Sequence, residues 1–209
     1  FQTREEEVDR EVLTTTITER QDKFGGKYKD KALTRTRIAA GDIQSLHKAF
    51  SAAARFSEAP HGWLVFLGQS FCGKTHLAAS IGNYRIALGG QAMLVDISAL
   101  FDYLRQTFHS NSDVSFERRF HEIRAAPLLI LDDLKESAAS SAWAEDKLFS
   151  LLNYRYSAQL PTVLTCALSA DAIALSYPNL WNKLLDPSSC QILPIHMPPY
   201  RRTQKKDFK

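Results

Sequence analysis

Residues 68–75 read Gly68-Gln69-Ser70-Phe71-Cys72-Gly73-Lys74-Thr75, which fits the pattern G-x-x-x-x-G-K-[ST] of a phosphate-binding loop. The apolar run Trp63 to Leu67 precedes them and a helix-like run begins at His76, so the local order is strand, loop, helix. Phosphate chemistry asks for that order. A strand aims the loop, glycines let backbone N–H groups close around phosphate oxygens, and the helix N-terminus adds positive potential where the anion sits. In this reading the stretch from Gly68 through His76 binds a nucleotide, Lys74 neutralises its β- and γ-phosphates, and the Thr75 hydroxyl ligates Mg²⁺. The competing reading, a glycine-containing turn between strand and helix, is weakened by what lies downstream.

Downstream stands Leu128-Leu-Ile-Leu-Asp132-Asp133, an apolar run ending in two carboxylates. A buried strand that delivers acids at its C-terminal end places them in the crevice where open α/β sheets bind ligands. Asp132 then holds the Mg²⁺ shell, directly or through water, and Asp133 orients or deprotonates the attacking water. Aspartate also favours the helix N-cap after a core strand. The phosphate loop in the same chain tips the reading toward metal and water.

Composition sets the frame around these two segments. A chain of 209 residues with 44% hydrophobic content has enough apolar material for one good core and little for a second. No apolar run approaches the roughly 18 residues of a membrane span, and no signal-peptide pattern precedes the first charged segment, so a soluble cytoplasmic protein without membrane contact is expected. Cys72, Cys166 and Cys190 are an odd number without metal-ligand spacing, which points to reduced thiols. The net charge of +3 neither demands nor excludes nucleic acid. Its distribution is uneven: Glu5, Glu6, Glu7, Asp9 and Glu11 make the start acidic, while Arg201, Arg202, Lys205, Lys206 and Lys209 make the end basic.

Along the chain, residues 4–20 carry a weak helical stripe of Val8, Val12, Leu13 and Ile17, readable equally as a partner-docking helix or a solvated leader. Residues 24–37 read as a glycine-containing basic loop. Asp42 reads as a helix N-cap, with Ile43, Leu46, Ala49, Phe50 and Ala53 following at helical spacing, until Pro60 and Gly62 end the helix. After the phosphate loop come a helix over Leu77 to Leu88 and a strand over Ala92 to Asp96. Helices over about 98–108 and 115–125 follow, split by the polar stretch His109 to Asp113; then the acidic strand, a helix over about 142–158, and strands over Thr162 to Cys166 and Gln191 to Ile195. Strands alternating with helices argue for a parallel sheet with helices on both faces. Trp63, Trp143 and Trp181 read as core or interface groups, and Phe101, Tyr103, Leu104 and Phe108 as the buried face of a helix. Arg105, Arg118, Arg119 and Arg124 read as a solvated face.

The runs Gly73-Lys-Thr-His-Leu-Ala-Ala, Leu128-Leu-Ile-Leu-Asp-Asp-Leu, Leu152-Asn-Tyr-Arg-Tyr, Leu160-Pro-Thr-Val-Leu-Thr and Pro199-Tyr-Arg together resemble the AAA+ core of bacterial replicative helicase loaders of the DnaC and DnaI type and of the related IstB transposition helpers. The resemblance covers roughly residues 40–202. It implies an α/β P-loop AAA+ fold with a five-stranded parallel sheet in the order 5-1-4-3-2, and it divides the chain into a leader over 1–39 and an AAA+ domain over 40–209. It also implies ATP or ADP with Mg²⁺ as cofactors, assembly into an open homo-oligomeric spiral, single-stranded DNA along the inner surface near the arginine-bearing helices, and a replicative helicase or a transposase as partner. The chain runs nine residues past Tyr200, so little or no C-terminal lid is expected.

Departures from the family pattern bear on the chemistry. Loaders place a glycine where this chain has Phe71, whose side chain either narrows the phosphate nest or points to solvent. Thr165-Cys166-Ala167 stands where the family has Thr-Ser-Asn, and Ala167 lacks the amide of that first sensor. The arginine expected before Leu184 to act on a neighbour's nucleotide is absent, and Lys183 is the nearest cation, without the planar fork that spans two phosphate oxygens. Arg201 matches the second sensor, with Arg202 beside it. Lys74, Asp133, Lys183 and Arg201 are therefore the candidate catalytic residues, and Thr75 and Asp132 the metal ligands. His76 also reads as a packing or capping residue of the first helical turn. The expected function is helicase loading in DNA replication with slow or partner-dependent ATP hydrolysis; the alternatives are an IstB-like transposition regulator and a non-hydrolysing adaptor.

Overall fold

The computed structural model describes residues 40–109, 116–135 and 141–198, with the backbone alone for 105–109. The expected leader, the basic loop of 24–37, the side chain of Phe108, most of the polar stretch before residue 114 and the Pro199-Tyr200-Arg201 run lie outside the described residues. The elements are α1 (Ala40–Glu58), β1 (Trp63–Gly68), α2 (Lys74–Ala87), β2 (Met93–Asp96), α3 (Ile97–His109), α4 (Phe116–Arg124), β3 (Leu129–Leu134), α5 (Ala142–Ser157), β4 (Thr162–Cys166), α6 (Ala170–Ser176), α7 (Pro178–Leu184) and β5 (Cys190–Ile195).

All strand pairings are parallel, and the order across the sheet is β2-β3-β4-β1-β5. Read from the other edge this is 5-1-4-3-2, the expected AAA+ order. Successive side chains of a strand point to opposite faces, and here both faces are covered. Val65, Leu67, Leu129, Leu131 and Leu164 join one core with Leu100, Phe101, Leu104, Phe120, Leu148, Leu151, Ile173 and Leu184, contributed by α3 to α7. Leu64, Phe66, Ile130 and Val163 join the other with Ala49, Ala53 and Phe56 of α1 and Ala78 and Ile81 of α2. Burial on both sides is why β1, β3 and β4 read as continuous rather than alternating apolar runs.

Several sequence expectations change in detail. Asp42 is not the N-cap of the first helix, because α1 already begins at Ala40; the carboxylate sits in the first turn, where the helix dipole favours it, and its carbonyl accepts the Ser45 hydroxyl at 2.7 Å. Tyr103 is 46% exposed while Phe101 and Leu104 are buried. With Ile97, Leu100, Phe101 and Leu104 turned inward at helical spacing, position 103 falls on the far side of α3. The helix after the phosphate loop starts at Lys74, three residues before the apolar run. Helices α6 and α7 were not foreseen, since seven residues each is too short for an apolar period to register. Their start signals are local: Ser169 caps α6 by accepting the Ala172 N–H at 3.2 Å, and Pro178 opens α7. The tryptophans do serve the core, with Trp63 edge-on to Tyr156 at 6.0 Å and Trp143 edge-on to Phe101 at 6.1 Å.

Arg155, in the Leu152-Asn-Tyr-Arg-Tyr run, is fully buried on α5. Its guanidinium donates to the Thr162 hydroxyl at 2.9 Å and to the carbonyls of Arg124 at 2.9 Å, Ala126 at 2.8 Å and Pro161 at 2.5 Å. One side chain therefore ties the end of α4 and the entry to β3 to the start of β4. Burial pulls its pKa down to about 10, so it remains a cation at neutral pH.

Candidate nucleotide site

The C-terminal ends of β1, β3 and β4 lie side by side in the sheet, and the candidate residues collect there. Gly68 ends β1 with φ +157°, and a Cβ on it would come within 2.5 Å of the Ile195 carbonyl and 2.9 Å of Cys72 Sγ. Only glycine lets the loop leave β1 this close to β5. Gly73 stands at φ +105° as the N-cap of α2, which has no side-chain cap, and its carbonyl accepts the N–H groups of His76 and Leu77 at 3.0 and 3.1 Å. The uncapped first turn of α2 is thus aimed at the loop. Lys74 opens that helix, is buried, and donates from Nζ to the carbonyls of Gly68 at 2.7 Å and Gln69 at 2.8 Å. Buried Cys72 is 3.9 Å from the same ammonium.

Phe71 resolves its own alternative. It is 79% exposed, so its ring points to solvent rather than into the loop, while its φ of +66° is the left-handed conformation that a bulky side chain seldom adopts. Thr75 and His76 are exposed.

The acidic pair is built into a break in the sheet. The β3–β4 register runs regularly through Leu131 and resumes at Leu134, and between them Asp133 adopts a φ of +67°. Asp132 stays in line and buried. Its Oδ1 accepts the Thr75 hydroxyl at 3.0 Å and the Thr165 hydroxyl at 2.6 Å. Asp133 turns outward: its N–H donates to Thr165 Oγ1 at 2.8 Å and its Oδ2 meets Lys135 Nζ at 2.5 Å. The structure therefore brings Lys74, Thr75, Asp132 and Asp133 to one end of the sheet, as the two sequence motifs required.

Thr165 is the residue sequence reasoning missed. One hydroxyl donates to Asp132 and accepts from the Asp133 backbone, setting both acids at once. The signals for it were a hydroxyl residue near the end of a strand and its place as the last residue of the family-like run Leu160 to Thr165. Ala167, just past β4, contributes a backbone N–H to the Leu134 carbonyl at 3.4 Å and a methyl side chain. Lys183 on α7 is placed elsewhere, with its ammonium 4.9 Å from the ring of Tyr156, whose hydroxyl donates to Asp186 at 2.7 Å. That bond raises the Tyr156 pKa, while the Ser188 hydroxyl first and the Tyr156 hydroxyl second hold the Asp186 carboxyl well below the usual carboxylate range. Burial pushes the thiols of Cys166 and Cys190 up to about 11, which leaves them poor nucleophiles. All three cysteines are free.

The arginines of α4 are engaged with neighbours. Arg118 and Arg119 share the Glu122 carboxylate at 3.2 and 3.0 Å, and these contacts lower the pKa of Glu122. The Arg124 guanidinium lies 4.6 Å from the Tyr154 ring centroid. Among the described residues no helix is long and apolar enough to cross a membrane, and no group of three or more His, Cys, Asp or Glu side chains is placed to hold a metal.

The geometry fits a nucleotide with its metal on three counts: a loop bounded by two positive-φ glycines, Gly68 and Gly73, an uncapped helix N-terminus carrying a buried lysine, and a hydroxyl–carboxylate pair at Thr75 and Asp132.

A segment of 70 residues is 34% identical to the replicative helicase loader DnaC of Buchnera aphidicola subsp. Acyrthosiphon pisum, covering 34% of this chain and 28% of that protein. A segment of 111 residues is 28% identical to the replicative helicase loader DnaI of Bacillus subtilis, covering 53% of this chain and 34% of that protein. The matched segments thus span about a third of these curated relatives. The fold is similar to that of the crystallised DnaC helicase loader, with a TM-score of 0.61 and 22% identity over 80% of this chain and 93% of that one. It is equally similar to the replication initiator DnaA bound to AMPPCP and single-stranded DNA, with a TM-score of 0.61 and 13% identity over 78% of this chain and 49% of that one. Residues 46–207 match the family model described as IstB-like ATP binding protein, so the chain belongs to the family of IstB-like ATP binding proteins and has its AAA+ P-loop fold.

Proposed function

We propose that this chain binds ATP or ADP with Mg²⁺ at the β1–α2 loop and acts in DNA replication as a helicase loader, with slow or partner-dependent hydrolysis. The observation that carries the reading is the Thr75–Asp132–Thr165 cluster set against the buried Lys74, because it joins the two nucleotide motifs across 57 residues of sequence at one end of the sheet. When bound, Mg²⁺ supplies charge neutralisation and a fixed geometry for the transferring phosphoryl group. Thr75 and Asp132 would hold the metal, Lys74 the phosphates, and the backbone of Gln69, Ser70, Phe71, Cys72 and Gly73 the remaining oxygens, with His76 at the first turn of the helix. Asp133 would orient the attacking water. The loader role is supported by the similarity to DnaC and DnaI. On that reading the partners are a replicative helicase, single-stranded DNA and further copies of the chain in an open spiral, with Lys183 and Arg201 as the cations acting on nucleotide and the leader over 1–39 preceding the ATP-binding domain.

Lys74 tests the site. Lys74→Ala is expected to weaken ATP binding at least tenfold, about 1.4 kcal/mol, with the thermal midpoint nearly unchanged. A titration with a fluorescent ATP analogue, with and without Mg²⁺, measures it, and an unchanged dissociation constant refutes the phosphate-loop assignment.

Slow hydrolysis follows from two side chains that cannot do what the family's groups do. Ala167 presents a methyl group at the end of β4, and Lys183 has a point charge rather than a planar fork. An arginine acting from a neighbouring subunit is worth roughly a thousandfold or more in rate. The double change Ala167→Asn with Lys183→Arg is expected to raise ATP turnover of the assembled, DNA-bound protein by at least about tenfold. Wild-type turnover already equal to that of the double variant would show that neither position limits the rate.

A further inference from the structure

Asp133 leaves the line of β3 at the register break, and its carboxylate is not idle there. Oδ2 receives the Lys135 ammonium at 2.5 Å. That contact, with smaller contributions from Asp96 and Asp132, raises the Lys135 pKa. Lys135 is thus paired with Asp133 close to the other two carboxylates that end β2 and β3. Its own backbone is fixed from a distant point in sequence, since its carbonyl accepts the Tyr177 hydroxyl at 2.7 Å. Tyr177 is the residue between α6 and α7, serving as C-cap of one and N-cap of the other, and α7 carries Lys183.

We propose that Lys135 is a positioning residue that holds the Asp133 carboxylate in a resting orientation, and that Tyr177 anchors Lys135 so that the α6–α7 junction controls the restraint. The inference rests on the reading of Asp133 as the water-orienting carboxylate. The ammonium on Oδ2 leaves the carboxylate further acceptor sites but fixes the direction in which it points, so the pair restrains hydrolysis until the junction shifts. The side chains are 47% and 35% exposed, and ion pairs of that exposure are weak and easily parted. Such a pair suits a device that is opened by a neighbouring molecule pressing on α6 and α7, and it sets the size of the effect at a few-fold.

Two measurements test this together. In steady-state assays Lys135→Met is expected to raise kcat about two- to fivefold, with the dissociation constant for ATP within about twofold of wild type, and Lys135→Arg, which keeps a cation for Asp133, is expected to restore the restraint. In nucleotide-free protein, competitive acetylation read by mass spectrometry is expected to label Lys135 slowly in wild type and faster in both Asp133→Asn and Tyr177→Phe. A kcat for Lys135→Met no higher than wild type, while Asp133→Asn is inactive, overturns the positioning role and leaves the Asp133 assignment standing. Turnover that survives in Asp133→Asn removes the reading beneath it. Lys135 labelling indifferent to Asp133→Asn shows that the pair does not hold in solution, and labelling indifferent to Tyr177→Phe removes the junction from the device.

Discussion

Asp133→Asn is expected to lower ATP turnover by at least about a hundredfold while leaving ATP affinity within about threefold of wild type. The size follows from the chemistry: a positioned general base contributes on the order of a hundred- to ten-thousandfold, and an amide cannot take the proton of an attacking water. The retained affinity follows from the geometry. Lys74 is held by the Gly68 and Gln69 carbonyls, and Asp132 by Thr75 and Thr165, through contacts that do not involve the Asp133 carboxylate, and the Asp133 N–H to Thr165 bond is made by the backbone and survives the substitution. Single-turnover hydrolysis beside a binding titration separates the two quantities. Equal turnover in both proteins would take the hydrolytic role away from Asp133; a parallel loss of binding would make it part of the nucleotide cradle instead.

Arg155→Leu is expected to lower the free energy of unfolding by about 3–5 kcal/mol, a large share of the roughly 5–15 kcal/mol that holds a domain together. Leucine replaces much of the buried volume but none of the donors, so the buried Ala126 carbonyl and Thr162 hydroxyl and the half-buried Arg124 carbonyl lose the guanidinium. Arg155→Lys keeps the charge on a group with a different reach and is expected to recover only part of the loss. Urea denaturation of wild type and both variants measures this, and a difference below about 1 kcal/mol for Arg155→Leu would show that the carbonyls find other donors. Because the bonds fix where β3 and β4 begin rather than where they end, ATP affinity of the folded variant is expected to stay near wild type.

The resemblance drawn from short runs marked Arg155 as typical of the family without explaining it. Its role needed the fold, because its partners come from two separate stretches of the chain, 124–126 and 161–162. Thr165 was likewise marked by the resemblance without a role, and Lys135 was passed over, since nothing local distinguishes it from any lysine after a strand. Phe71 was legible as a departure, yet whether it blocked the loop or faced away was a question of backbone conformation.

What the sequence determined by itself was whatever local chemistry determines. Gly68, Gly73, Lys74 and Thr75 announce a phosphate loop because backbone freedom, charge and a hydroxyl are needed at set spacings within eight residues. The runs ending at Leu67, Asp133 and Cys166 announce buried parallel strands because both faces of each are apolar. The strand order came from resemblance to a family, since spacing alone does not say which strand lies beside β1. The structure has that order, with β4 between β1 and β3, and only the structure shows that this placement carries the Thr165 hydroxyl to within hydrogen-bonding distance of Asp132 and of the Asp133 backbone. Pairing register acts between segments far apart in the chain, and so the two acids, one in line and one turned outward by the register break, acquire different environments that no pattern of adjacent residues encodes.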